Sequence, residues 1–197
     1  AGVEVLPATD EVLAAMCDTV TPQGVLAVCS FIASGLREVV APGLRNVAVL
    51  HEVKDPGNVG NIIRSADAAG ADAVIVTEAS VDIYNPKAVR ATTGSLFHLP
   101  VVTGVSLSDA LQALQAAGLR AFATQATGTD INELAEGGGL AQPTAWIFGN
   151  EAHGLAVEEA AQADVRVAVP LYGQAESLSL QTAAALCLYQ SAFAQQR

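Results

Sequence analysis

From Asn46 onward, short apolar runs alternate with longer stretches in which apolar residues recur at helical spacing. This pattern predicts strands at 46–51, 73–77, 100–103, 120–124, 144–148 and 165–169. It predicts helices at 58–69, 86–93, 107–117, 155–162 and 178–195. The strands are continuous apolar runs such as Ala73-Val-Ile-Val and Ala145-Trp-Ile-Phe, with no polar alternation. Runs of that kind suit a mostly parallel sheet with helices on both faces, an α/β fold. In the middle helix the polar positions Asp109 and Gln112 mark the outer face. Gly137-Gly-Gly reads as a connection, because no helix follows it. Before Asn46 the pattern is weaker. Val12, Leu13 and Met16 form a stripe on a helix near Asp10–Asp18, with Asp10 as its N-cap. Thr21-Pro-Gln-Gly breaks that helix, and Val25–Cys29 reads as a short strand.

Composition narrows the picture. With 197 residues, 51% hydrophobic and 15% charged, the chain can bury one substantial core, and disorder is excluded. No apolar run reaches the roughly 18–20 residues of a spanning helix, and no secretory signal pattern opens the chain, so a cytoplasmic protein without a membrane partner is expected. Cys17, Cys29 and Cys187 are scattered in apolar surroundings, and His51, His98 and His153 lack ligand spacing. Reduced, packed thiols and no metal are therefore expected. The net charge of −11 opposes a polyphosphate partner. Six of the nine basic residues do lie before residue 91, but acidic residues outnumber them there. Charge alone points to a small-molecule enzyme.

Candidate chemistry lies where predicted strands end. Ligands of open parallel sheets bind beyond the carboxyl ends of the strands. Three such ends, Glu52–Asn58, Gly149–Gly154 and Pro170–Ser177, hold turn glycines and polar side chains. The first continues into Asp55-Pro-Gly-Asn-Val-Gly-Asn-Ile-Ile-Arg64, a strand–turn–helix start whose free N–H groups face the space above the sheet. Asn58 there could be a helix N-cap, and Arg64 could pair with Asp67 at i+3. A Walker loop, a G-x-G-x-x-G turn and a G-x-S-x-G elbow are all missing, which argues against a simple NTPase, dehydrogenase or hydrolase.

The motifs "NVGNIIRSADAAGAD", "WIFGNEAHGL" and "VPLYGQAESLSLQTAAALCLYQ", with "NPKAVRATTGSLFHLPV" between the first two, resemble the SpoU (TrmH-like) branch of the SPOUT RNA methyltransferases. The likeness covers residues 20–195. It implies a SPOUT fold with a C-terminal trefoil knot, a rare departure from unthreaded topology. It also implies a homodimer, S-adenosylmethionine as methyl donor, and a ribose 2′-hydroxyl of RNA, ribosomal rather than transfer RNA, as acceptor. Residues 1–40 resemble the end of an N-terminal RNA-recognition domain and its linker, and residues 41–197 the methyltransferase domain. By the same resemblance Asn58, Arg64, Glu151, Ser177 and Ser179 are the catalytic set. Arg64 and Arg90 serve the RNA, and Thr124, Gly149, Val169, Leu171 and Leu178 hold the cofactor. Arg64 would bind the flanking phosphate and stabilise the developing alkoxide, since a guanidinium keeps its proton. Glu151 would orient Arg64 or the neighbouring protomer's loop, or fix the knot by accepting backbone N–H bonds. Ser179 departs from the family's asparagine, so a knotted dimer that binds RNA or the ribosome with weakened catalysis stays open as an alternative, as does a transfer RNA substrate.

Overall fold

The strands that the apolar runs predict assemble into one parallel sheet. The computed structural model describes residues 2–196. The strands are β1 (Asn46–Leu50), β2 (Ala73–Thr77), β3 (Val101–Val105), β4 (Arg120–Asp130), β5 (Thr144–Phe148) and β6 (Val165–Ala168). Their order across the sheet is β3-β2-β1-β5-β4-β6, and every neighbouring pair is parallel. β1, β2 and β5 are buried along their whole length, which is why their sequences show no alternation.

Helices cover both faces. On one side α3 (Pro56–Ala68) and α8 (Leu180–Gln195) pack on Leu50, Val76, Phe122, Trp146 and Phe148, with the Phe122 and Trp146 rings stacked at 4.9 Å. On the other, α5 (Leu107–Ala116) and Ala160 of α7 (Val157–Ala160) bury Val47, Val49, Ile75 and Ile147. α4 (Pro86–Thr92) lies against α3 so closely that a Cβ on Gly60 would sit 2.4 Å from the Ala88 carbonyl oxygen. α8 is anchored at its far end by a buried polar network. Ser191 Oγ meets Thr144 Oγ1 and accepts Trp146 Nε1–H, each at 2.9 Å, and Asn46 donates to the Leu188 carbonyl.

Several local readings are corrected. Val25–Cys29 is not a strand; Val25, Leu26 and Val28 are exposed, and the segment forms no sheet pairing with another described residue. Thr9, not Asp10, caps α1 (Asp10–Met16). Two short helices have too few turns to show a period, α2 (Leu36–Val39) and α6 (Ile131–Glu136). β4 runs beyond Thr124: Thr124 and Thr129 both pair with Val167, so residues 125–128 bulge out and return to the same partner. The chain divides into two compact units after Phe31; α1 lies in the first, and the sheet with its helices in the second. Among the described residues no helix is long and apolar enough to cross a membrane.

Candidate functional site

Chain order reverses between β1 and β5. β2 and β3 extend the sheet outward from β1, whereas β4 and β6 lie beyond β5. Such a switch point leaves a crevice at the carboxyl ends of the two central strands. Here those ends are tied together: the His51 amide donates to the Phe148 carbonyl at 2.8 Å, and Asn150 Nδ2 donates to the Glu52 carbonyl at 3.0 Å. After β5 the chain makes a tight hairpin, with Asn150 and Gly154 exchanging both backbone hydrogen bonds. Gly149 permits that closure, because a Cβ there would meet Gly154 and Leu155 backbone atoms at 2.5–2.7 Å.

The hairpin presents Glu151 to the start of α3. Its Oε1 accepts the Asp55 amide at 2.9 Å and Asn58 Nδ2 at 3.1 Å, and its Oε2 accepts the Lys54 amide at 3.1 Å. Partial burial opposes the charge, but the amides of Asp55, Glu151 itself and Lys54 and the Asn58 side chain outweigh it, so the carboxyl titrates below its ordinary value. Within the chain Glu151 accepts N–H bonds, and Arg64 is not among its partners. Asn58 is not the N-cap of α3. Asp55 is, accepting the Asn58 amide at 2.9 Å while Lys87 Nζ lies 2.7 Å from its other oxygen. The Lys87 hydrogen bond, then that of Asn58, lowers the Asp55 pKa.

Behind Glu151 opens a cavity of about 710 Å³. Thr124, Glu151, Val169, Leu171, Ser177 and Leu178, all named from the sequence, line it. Thr124 Oγ1 donates to the Ile147 carbonyl at 2.8 Å, locking the end of β4 to β5. The opposite wall has another character. From Pro170 to Leu178 the main chain makes no hydrogen bond to other described residues, so its N–H and C=O groups are free for a ligand. Ser179 begins α8 as its N-cap, accepting the Thr182 amide at 3.4 Å with its Oγ 2.7 Å from Thr182 Oγ1. Serine is among the best residues for that position, which gives the departure at 179 a local reason. Apolar walls beside open backbone and a few hydroxyls suit an adenosine-bearing ligand.

Arg64 is not in this cavity. It lies exposed in a shallow groove between α3 and α8 with Asn61, Ser65, Gln181, Thr182 and Tyr189, and it forms no hydrogen bond or ion pair with a described residue. The expected pairing with Asp67 does not occur. Asp67 instead faces His98 Nδ1 at 2.7 Å, and hydrogen bonds from Ser95 and then His98 hold its carboxyl low. Arg90 is exposed on α4. Gln125, Thr127, His153 and Glu176 also line the cavity. Gln125 and Thr127 were hidden because the bulge that exposes them leaves no periodic trace. A second cluster needed the fold to appear: positions 51, 52 and 159 meet, with a side-chain nitrogen or oxygen of each of His51, Glu52 and Glu159 within 4.8 Å of the others.

A sequence profile of the SpoU rRNA Methylase family matches residues 45–189. The 23S rRNA (guanosine(2553)-2'-O)-methyltransferase RlmP of Bacillus subtilis is 35% identical over 95% of this chain and 72% of its own length. The 23S rRNA (uridine(2479)-2'-O)-methyltransferase of Streptomyces viridochromogenes is 38% identical over 69% of this chain and 48% of its own. Among solved structures, the AdoMet-bound rRNA methyltransferase from Sinorhizobium meliloti aligns with a TM-score of 0.82 at 33% identity, over 93% of this chain and 69% of that one. The AviRb–AdoMet complex from Streptomyces viridochromogenes aligns at 0.72 and 35%, over 82% and 64%. The chain belongs to the SpoU rRNA Methylase family.

Proposed function

We propose that this SpoU-family chain transfers a methyl group from S-adenosylmethionine to a ribose 2′-hydroxyl of ribosomal RNA. The observation that carries the reading is the cavity at the carboxyl ends of β4, β5 and β6, with one wall made by the hairpin whose Glu151 is bonded to Asn58 and the other by open backbone at 170–178. Val169, Leu171 and Leu178 would wall the cofactor, with Thr124 and Gly149 shaping its floor. When bound, the cofactor supplies an electrophilic methyl group on a sulfonium, a reaction that needs no metal. Relatives solved with AdoMet, and relatives named for 23S rRNA, support the donor and the acceptor.

The chain's own residues then have separable tasks. Glu151 keeps the Lys54–Asn58 turn in one conformation, so Asn58 meets the acceptor without reorganising, while Ser177 meets it from the open wall. Arg64 binds the phosphate flanking the acceptor ribose and stabilises its developing oxyanion; the lack of a competing partner supports that role. Arg90 adds a second phosphate contact from α4. We read residues 1–40 as part of the RNA-recognition side, the C-terminal segment as knotted, and the reaction as cytoplasmic.

The same reading includes a homodimer. α8 is apolar on its outer side too, with Leu186, Tyr189 and Phe193 at 43%, 37% and 57% exposure and the two rings 5.5 Å apart. Labelled S-adenosylmethionine with bulk rRNA, followed by nucleoside analysis, tests the activity: a 2′-O-methyl nucleoside is expected, and a base-methylated product or none refutes it. Arg64→Ala is expected to lower the rate roughly 100- to 1,000-fold while leaving cofactor affinity within about twofold. Near-normal turnover in the folded variant would remove Arg64 from the mechanism.

A further inference from the structure

Just past the end of β1, His51 meets two carboxylates that methyl transfer does not use. A side-chain nitrogen or oxygen of each of His51, Glu52 and Glu159 lies within 4.8 Å of the others. None of the three is among the residues lining the cavity.

The hydrogen bonds of the imidazole fix which nitrogen faces this cluster. The Thr77 hydroxyl donates to the Glu78 carbonyl at 3.3 Å, so in its contact with His51 Nδ1 at 3.0 Å it is the acceptor. Nδ1 therefore carries the proton, and in the neutral ring Nε2 keeps the lone pair. Nε2 is buried and makes no hydrogen bond, although Glu159 Oε1 is 3.1 Å away. The carboxylate oxygen stands off the line along which an Nε2–H would point. That placement is poor for a hydrogen bond, but it is how two ligands of one ion stand. An ion held at about 2.0–2.2 Å puts neighbouring ligand atoms about 3.0–3.5 Å apart, each on its own axis.

We propose that His51 Nε2 and the carboxylates of Glu52 and Glu159 bind a divalent transition-metal ion of the zinc class. A neutral imidazole and two carboxylates balance the charge of such an ion, which a pair of half-buried carboxylates otherwise lacks. The nitrogen donor selects against magnesium and calcium, which take oxygen ligands. Bonds of the kind that orient metal ligands are already present. Thr77 holds the imidazole, and Glu159 Oε2 accepts the Ala156 amide at 2.7 Å. Glu52 is fixed through its backbone, with φ at 54° and its carbonyl accepting Asn150 Nδ2 at 3.0 Å. Its carboxylate makes no hydrogen bond with a described residue and can turn onto the ion. The ion joins the end of β1 to α7 at the base of the 149–154 hairpin and leaves methyl transfer itself metal-free. Sequence spacing gave no sign of it, because Glu159 reaches His51 only through the fold.

The site stands independently of the methyltransferase reading, and its test needs no RNA. The full chain is stripped with chelator and titrated with zinc chloride, with Cys17 and Cys29 replaced by serine to remove the thiols outside the core. Calorimetry against a competing chelator is expected to give a single tight site per chain, and zinc is expected to raise Tm. His51→Gln and Glu159→Gln are expected to weaken binding by about 100-fold or more, and Glu52→Gln by roughly tenfold. His98→Gln, at a histidine paired with Asp67 instead, should change it by less than about twofold. If Glu159→Gln does not fold, Glu52→Gln decides, since that side chain holds no native hydrogen bond. In NMR of the histidine-labelled protein at neutral pH, zinc is expected to shift His51 Nε2 while Nδ1 keeps its proton. An imidazolium at His51 that equimolar zinc leaves unchanged, tight binding retained in His51→Gln, or equal loss in His98→Gln would each overturn the site.

Discussion

The two walls of the cavity are built on opposite plans. The wall made by the hairpin after β5 is tied to the end of β1 and the start of α3 by hydrogen bonds between residues more than ninety positions apart, through Glu151 and Asn150. The wall at 170–178 is exposed or half-buried, and its main chain makes no hydrogen bond to other described residues. Binding energy and precise positioning therefore have different sources. The bonded wall is organised before any ligand arrives, so its contacts cost little further entropy. The open wall offers many donors and acceptors but must be ordered by whatever it holds.

Substituting one glycine in each wall would break this comparison most directly. Gly149→Ala drives a methyl group into the Gly154 and Leu155 backbone at 2.5–2.7 Å. Displacing backbone in a closed hairpin should lower the unfolding free energy by about 1–3 kcal/mol in urea melts, and weaken S-adenosylmethionine binding in calorimetry. An unchanged melt would mean that the hairpin yields freely and that the bonded wall is not rigid.

A smaller effect is expected from Glu151→Gln, which keeps the shape and removes the charge. Loss of charge-assisted bonds to a solvent-accessible carboxylate should destabilise the chain by about 1 kcal/mol at pH 7. The sign with pH follows from the lowered folded-state pKa. The contribution is complete above the unfolded value of roughly 4.3, and disappears as pH falls through the folded value. Wild-type and variant stabilities should therefore converge on acidification below about pH 4. A gap that persists into stronger acid would assign the loss to amide geometry instead of charge.

The smallest effect belongs to the open wall. A Cβ on Gly173 meets nothing within 4 Å, and its φ is outside the left-handed region. Gly173→Ala should leave stability within about 0.5 kcal/mol, and cofactor affinity nearly unchanged. A loss comparable to that of Gly149→Ala would show that 170–178 is as constrained as the wall opposite.

Much of the architecture was legible because it is local. Burial on both faces forces runs such as Val47–Leu50 and Ala145–Phe148 to be wholly apolar, and those runs stand at the strand positions that the pattern predicts. Val25–Cys29 shows the limit of that logic, since an apolar run becomes a strand only beside a partner. The residue types of the site could be read in the same way: the motifs single out Asn58, Arg64 and Glu151, and the cavity includes six of the positions named in advance. Their partners could not. Whether Asn58 or Asp55 caps α3, and whether Glu151 serves Arg64 or the Lys54–Asp55 amides, depends on which loops meet at the β1/β5 reversal. From Asn46 onward the chain by itself determined the six strand positions and the longer helices, and which side chains are available for chemistry, because hydrophobic period and turn residues act over a few positions. Only the tertiary structure decided that Arg64 stands outside the cavity and His153 on its wall, because strand order brings together residues that no local pattern relates.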